Sequence, residues 1–150
     1  MSPSEIANLI EDHRDRLVAA WVEAVRADDS IMSDADISDG GIINHVPILV
    51  EEICDVIRSG QRPGIYNTRE ARVHAYTRFR QGYRARDLVR ETALLRRILF
   101  DYVAAQFYER APDPSHIPVC LDALRIINSY VDEELRYAVA IYTESTLSQS

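Results

Sequence analysis

Apolar side chains recur along this chain at steps of three, four and seven, the spacing that places them on one face of an α-helix. No stretch alternates in the period-two manner of a half-buried strand. Starting from Ser4 as an N-cap, Ile6, Leu9, Ile10, Leu17, Trp21 and Val25 form one stripe and predict a helix to Ala27. An aspartate-rich polar connection, Asp28 to Asp39, follows. A second helix is expected over Ile42 to Ser59, interrupted near its start by Pro47 and closed by Gly60. Asn67 with Glu70 has the spacing of a capping box and opens a third helix that ends near Gly82. A fourth runs from Arg86 to Arg110, before Pro112 and Pro114 break the chain. The last helix spans residues 115 to 147. The pattern therefore predicts an all-α fold in a single domain covering residues 1 to 150, with no internal repeat.

A helix of that final length measures roughly 50 Å, against a diameter of about 38 Å for a compact domain of this size. Its end must protrude or pack on another chain. Leu121, Asn128, Leu135 and Tyr142 step by seven, as do Ile117, Leu124, Val131 and Ala138. Together they read as a heptad seam with Asn128 as a polar register position, and they predict a homodimer built on this helix.

Three ionisable residues stand where the pattern asks for apolar ones. His74 and Arg78 share the inward face of the third helix with Ala71 and Ala75, and Glu91 interrupts the Leu88–Leu95 stripe of the fourth. Burying an unpaired charge costs several kcal/mol, so these groups are expected to meet, with Arg96 or a bound anion as further partners. Two roles stay open for them: a polar network that sets helix packing, or a site that senses a ligand or anion. Histidines on two helices, His45 and His74, also allow a haem-binding globin in which neutral imidazole is the axial ligand.

Composition narrows the chemistry further. The 150 residues carry 24 acidic and 17 basic side chains, a net charge of −7, and every basic residue is Arg. A chain without lysine offers no Schiff base and no phosphate-loop lysine. It also lacks the lysine that usually follows the histidine of a phosphotransfer module. No nucleophile elbow, zinc-protease motif or glycine-rich phosphate loop occurs, so no catalytic residue or metal site is expected. The acidic aspartate loop does not match a calcium-binding spacing. The acidic balance argues against nucleic acid and anionic membrane as partners, although arginines cluster at Arg69, Arg72, Arg78, Arg80, Arg84, Arg86 and Arg90. Cys54 and Cys120 sit within apolar helical patterns and read as buried free thiols. Neither a signal peptide nor a membrane-spanning run is visible, which makes a cytoplasmic location the expectation.

The segment Ala71-Arg72-Val73-His74-Ala75-Tyr76-Thr77-Arg78-Phe79-Arg80-Gln81-Gly82-Tyr83, continuing through Asp87-Leu88-Val89-Arg90-Glu91-Thr92-Ala93-Leu94-Leu95-Arg96, resembles a known pattern. It is similar to the His-x3-Arg-x3-Gly-Tyr and Leu-x2-Glu-x3-Leu-Arg signature of RsbR-type N-terminal sensor domains, the co-antagonist domains of the stressosome. Trp21 and the His45-Val46-Pro47 turn also resemble that family, and the likeness covers residues 5 to 145. It implies a globin-like helical bundle without haem, usually dimeric. It further implies that the last helix leads to an output module of STAS or histidine-kinase type. Some relatives enclose an apolar ligand such as a fatty acid, sometimes with a buried anion. The motif positions fall on His74, Arg78, Gly82, Glu91, Leu95 and Arg96, while Arg84-Ala85 and Thr92 depart from the usual pattern. The function implied is non-catalytic: a signal-sensing domain that is either a stand-alone regulator or part of a longer protein. A haem sensor or a ligand-free interaction module would be the alternatives.

Overall fold

A computed structural model describes residues 1–31, 39–109 and 113–148, with the side chains of residues 39–45, 65 and 146–148 outside the description. Among the described residues the fold is all-α. Six helices occur: α1 (Pro3–Asp12), α2 (Arg14–Ala27), α3 (Asp39–Ser59), α4 (Arg69–Arg80), α5 (Ala85–Glu109) and α6 (Ile117–Ser148). Short 3-10 turns at Ile65–Asn67 and Pro114–His116 precede α4 and α6.

The first predicted helix is in fact two. His13 leaves helical geometry (φ −109°, ψ 13°), and its Nδ1 lies 3.0 Å from the Leu9 carbonyl and 2.8 Å from the Tyr102 hydroxyl. Ile10 and Leu17 remain seven residues apart across the break, so the apolar stripe gives no sign of it. The two halves pack differently, α1 against α3 and α6, α2 against α3 and α5. Ser2, not Ser4, caps α1 by accepting from the Glu5 amide.

Helix α4 also starts differently from the expected Asn67–Glu70 box. Asn67 Oδ1 accepts from the Gly64 amide, Thr68 Oγ1 donates to the Gly64 carbonyl, and the Glu70 amide donates to Glu52 of α3 at 2.9 Å. A carboxylate from another helix thus satisfies a free amide of the first turn, where negative charge also suits the helix dipole. At the other end Gly82 takes φ 83° while the Tyr83 amide bonds back to the Arg78 carbonyl, a Schellman-type stop.

The core gathers Ile6, Ile10, Trp21, Leu49, Ile53, Ile57, Leu95, Leu99 and Tyr130 from α1, α2, α3, α5 and α6. Both cysteines are buried and free, as their positions suggested. Helix α6 packs against α1, α3, α4 and α5, and its 32 residues make it about 48 Å long. Its heptad seam is only partly outward. Leu121 and Asn128 are exposed and Leu124 and Leu135 half-buried, whereas Val131 and Ala138 are buried in their own chain. Tyr142 donates its hydroxyl to the Tyr83 carbonyl at 2.6 Å. Val131 and Ala138 are therefore covered by their own chain and are not part of an outward seam. No helix among the described residues is long and apolar enough to cross a membrane.

Gly82→Ala tests the α4 stop. A Cβ there meets nothing within 4 Å, so the change acts only through the left-handed backbone. It should lower unfolding free energy by about 1 kcal/mol in urea titrations.

Candidate functional site

Four ionisable side chains meet between α4, α5 and α6, and all are essentially excluded from water. His74 and Arg78 come from the inward row of α4, Glu91 from α5 and Glu134 from α6. His74 Nδ1 lies 2.6 Å from Glu134 Oε1, and its Nε2 lies 3.0 Å from Glu91 Oε1. Arg78 Nε donates to the same Glu91 oxygen at 2.9 Å, and its Nη1 donates to Gln81 at 3.0 Å. The guanidinium carbon sits 4.7 Å from the centre of the Tyr83 ring, a cation–π contact that covers the remaining face. Trp21 of α2 braces the group from behind. Its indole N–H donates to the Glu91 carbonyl at 2.8 Å, and its ring meets His74 edge-on.

The electrostatics follow from the count. Two carboxylates and one guanidinium would leave a buried negative charge, so neutrality requires the imidazolium form of His74. Burial opposes that charge, but Glu134 and then Glu91 outweigh it, and the His74 pKa is pushed up to about 9. Satisfaction is incomplete. Among the described residues, His74 Nε2 and the second oxygens, Glu91 Oε2 and Glu134 Oε2, have no partner with hydrogen-bond geometry. Unmet hydrogen-bonding capacity is costly in a low-dielectric interior, where no bulk solvent replaces the missing partner.

The structure brings His74, Arg78 and Glu91 together, but it does not bring Arg96. That residue lies on the α5–α6 surface, 3.4 Å from Asn128 and 3.9 Å from Asp132. Its guanidinium faces Asn128 and Asp132 of α6 there, away from the cluster. Glu134 is the member that the sequence reading missed. The signal was present: Ile127, Tyr130, Val131 and Ala138 make one buried row of α6, and Glu134 interrupts it as Glu91 interrupts that of α5. Both ring nitrogens of His74, one of the two haem-ligand candidates, face carboxylates in this arrangement. The His45 side chain, the other haem candidate, lies outside the described residues. Among the described residues no group of three or more His, Cys, Asp and Glu side chains could hold a metal ion.

A third buried carboxylate, Asp87, is held by both Arg84 Nε and Nη2 at 2.9 and 2.8 Å at the start of α5. This fork-on-fork pair fixes the α4–α5 turn beside the cluster. An apolar groove of about 720 Å³ lies elsewhere, between α2 and α3, lined by Val18, Ala19, Val22 and Pro47.

The histidine makes stability depend on pH. Its folded pKa of about 9 exceeds the unfolded value of 6.5, so its contribution is complete below pH 6.5 and disappears as pH rises through 9. The unfolding free energy from urea titrations should fall across that window, by roughly 3 kcal/mol in total. Glu134→Gln should move the fall to lower pH, and His74→Gln should abolish it.

Comparison with known families places these observations. The family model described as the RsbT co-antagonist protein rsbRD N-terminal domain matches residues 15–149. No curated protein and no solved structure matches the chain. The matched span includes α2 from its second residue, α3, α4, α5 and α6, hence Trp21 and every member of the buried cluster. The chain belongs to the RsbT co-antagonist rsbRD N-terminal domain family, whose members are regulatory sensor domains of the stress response.

Proposed function

We propose that this chain is a single, non-catalytic sensor domain in which the His74–Arg78–Glu91–Glu134 cluster is the two-state element. The observation that carries this reading is that one buried, incompletely satisfied charge group joins three helices and reaches α6 through Glu134. A signal that favours a different packing of α4 and α5 acts on α6 through that contact, and α6 conveys the change along its length. Ile117, Leu121, Leu124, Asn128 and Leu135 form the outward part of α6 available to a second protomer. The family membership supports a downstream partner in the stress-response assembly, and an output module of STAS or histidine-kinase type suits the end of α6. A globin-like arrangement and a cytoplasmic location accord with the same membership.

The groove between α2 and α3 is the space that fits an apolar ligand such as a fatty acid. The room between α4, α5 and α6 holds the charged cluster. That packing favours, as a second reading, an interaction module that answers to a protein partner and not to a small molecule.

Sedimentation equilibrium tests the coupling. The wild type should dimerise, and Leu121→Glu with Leu135→Glu should abolish dimerisation while helicity persists. Glu134→Gln touches no part of the outward seam, yet it should shift the dimer constant about fivefold or more. A strict monomer at high concentration, or a constant indifferent to Glu134→Gln, would defeat the mechanism.

A further inference from the structure

Charge is distributed unevenly along this chain. Eight of its arginines fall between residues 62 and 90 against two carboxylates, Glu70 and Asp87, a net +6 within a chain of net −7. The structure accounts for part of that excess. Arg78 is consumed by the buried cluster, Arg84 by Asp87, and Arg90 by Asp28 at 2.6 Å. Arg62, Arg69, Arg80 and Arg86 are exposed and make no ion pair among the described residues.

Two of these share a face with an exposed aromatic ring. At 100° per residue, Arg69, Tyr76 and Arg80 fall within about 40° of one another on α4, opposite the His74–Arg78 row, and the stripe is about 17 Å long. Tyr76 is 48% exposed, and Tyr66, in the 3-10 turn leading into α4, is fully exposed. The fold gains little from this face. Arg80 lies in the last turn and complements the helix dipole, but Arg69 lies in the first turn, where a positive charge opposes it. Arg69 has no acidic residue three or four positions away on its helix, so it makes no compensating pair there.

We propose that the outward face of α4, centred on Arg69, Tyr76 and Arg80, is a docking surface for an acidic segment of a partner protein. Charge complementarity selects the occupant: a local positive stripe on an acidic domain attracts a short acidic segment. A long polyanion meets the field of the whole molecule at net −7. Tyrosine and arginine together are the side chains enriched where protein interfaces concentrate their binding energy, because both combine apolar area with directed donors. Nucleic-acid backbone binding instead relies on many cations distributed along a groove, and this stripe has two. Arginine suits the role because its fork engages a carboxylate with two parallel hydrogen bonds.

The test titrates a short glutamate-rich peptide, and an oligothymidylate of equal charge, into the full chain by fluorescence anisotropy at low and physiological salt. The peptide should bind, more weakly as salt rises, and its amide-shift changes should map to Arg69, Tyr76 and Arg80. Arg69→Glu with Arg80→Glu should weaken it about tenfold or more. Tyr76→Ala should weaken it severalfold with little change in salt dependence. Both variants alter exposed side chains, and circular dichroism should show unchanged helicity. Equal peptide binding by wild type and double variant overturns the proposal. So does tighter binding of the oligothymidylate, which would assign the face to nucleic acid. Self-association of the wild type that the double variant loses would assign it to a second copy of this chain and equally overturn the proposal.

Discussion

Neutralising four charges inside an otherwise apolar bundle is the constraint on which this structure depends. Each charge of His74, Arg78, Glu91 and Glu134 would be heavily penalised alone in the interior, and together they balance only while His74 holds its proton. Helix α4 provides both cations, α5 and α6 provide one carboxylate each, and α2 provides the tryptophan that bonds to the Glu91 carbonyl. No helix of the set can be displaced far without leaving some charge unmatched. Hydrophobic burial supplies attraction without direction, whereas this cluster sets which helix lies against which.

Around that centre, α6 is held by a row of polar ties along one face. Tyr130 donates to Glu52 at 2.6 Å, Glu134 meets His74, and Tyr142 donates to the Tyr83 carbonyl. Glu52 also accepts the first-turn amide of α4, so the tie at Tyr130 and the start of α4 share one carboxylate oxygen. Sliding or rotating α6 would break all three ties together. Such contacts favour discrete alternative packings over gradual deformation, which is the property a regulatory helix needs. Burial raises the Tyr142 phenol pKa to about 12, and Glu91 and Asp87 add to it, so its hydroxyl remains a donor over the ordinary pH range.

Arginine performs two separate tasks in this lysine-free chain. Inside, Arg78 stays charged despite complete burial and divides its donors between Glu91 and Gln81. Outside, Arg69 and Arg80 lie on the opposite face of the same helix, so α4 is a thin wall between a buried ionic centre and an exposed basic stripe. Any force applied to that stripe falls on the helix that carries His74.

Much was legible in the sequence because burial forces polar residues to declare themselves. His74, Arg78 and Glu91 interrupt apolar rows, and the cost of an unpaired buried charge requires them to converge. All six helices except the break at His13 follow from spacing alone, since a single non-helical residue leaves the stripe in register. Spacing could not assign Arg96, which shares the motif but faces the surface, nor say that Glu134, sixty residues beyond His74, closes the cluster. It could not decide which body covers each side of α6 either. Val131 and Ala138 fit a heptad seam as well as they fit their own core. The sequence by itself determined the helical class and which faces must be hidden, because periodicity and desolvation act residue by residue. Only the tertiary structure decided what hides them, because a pairing partner depends on how distant helices are arranged in space.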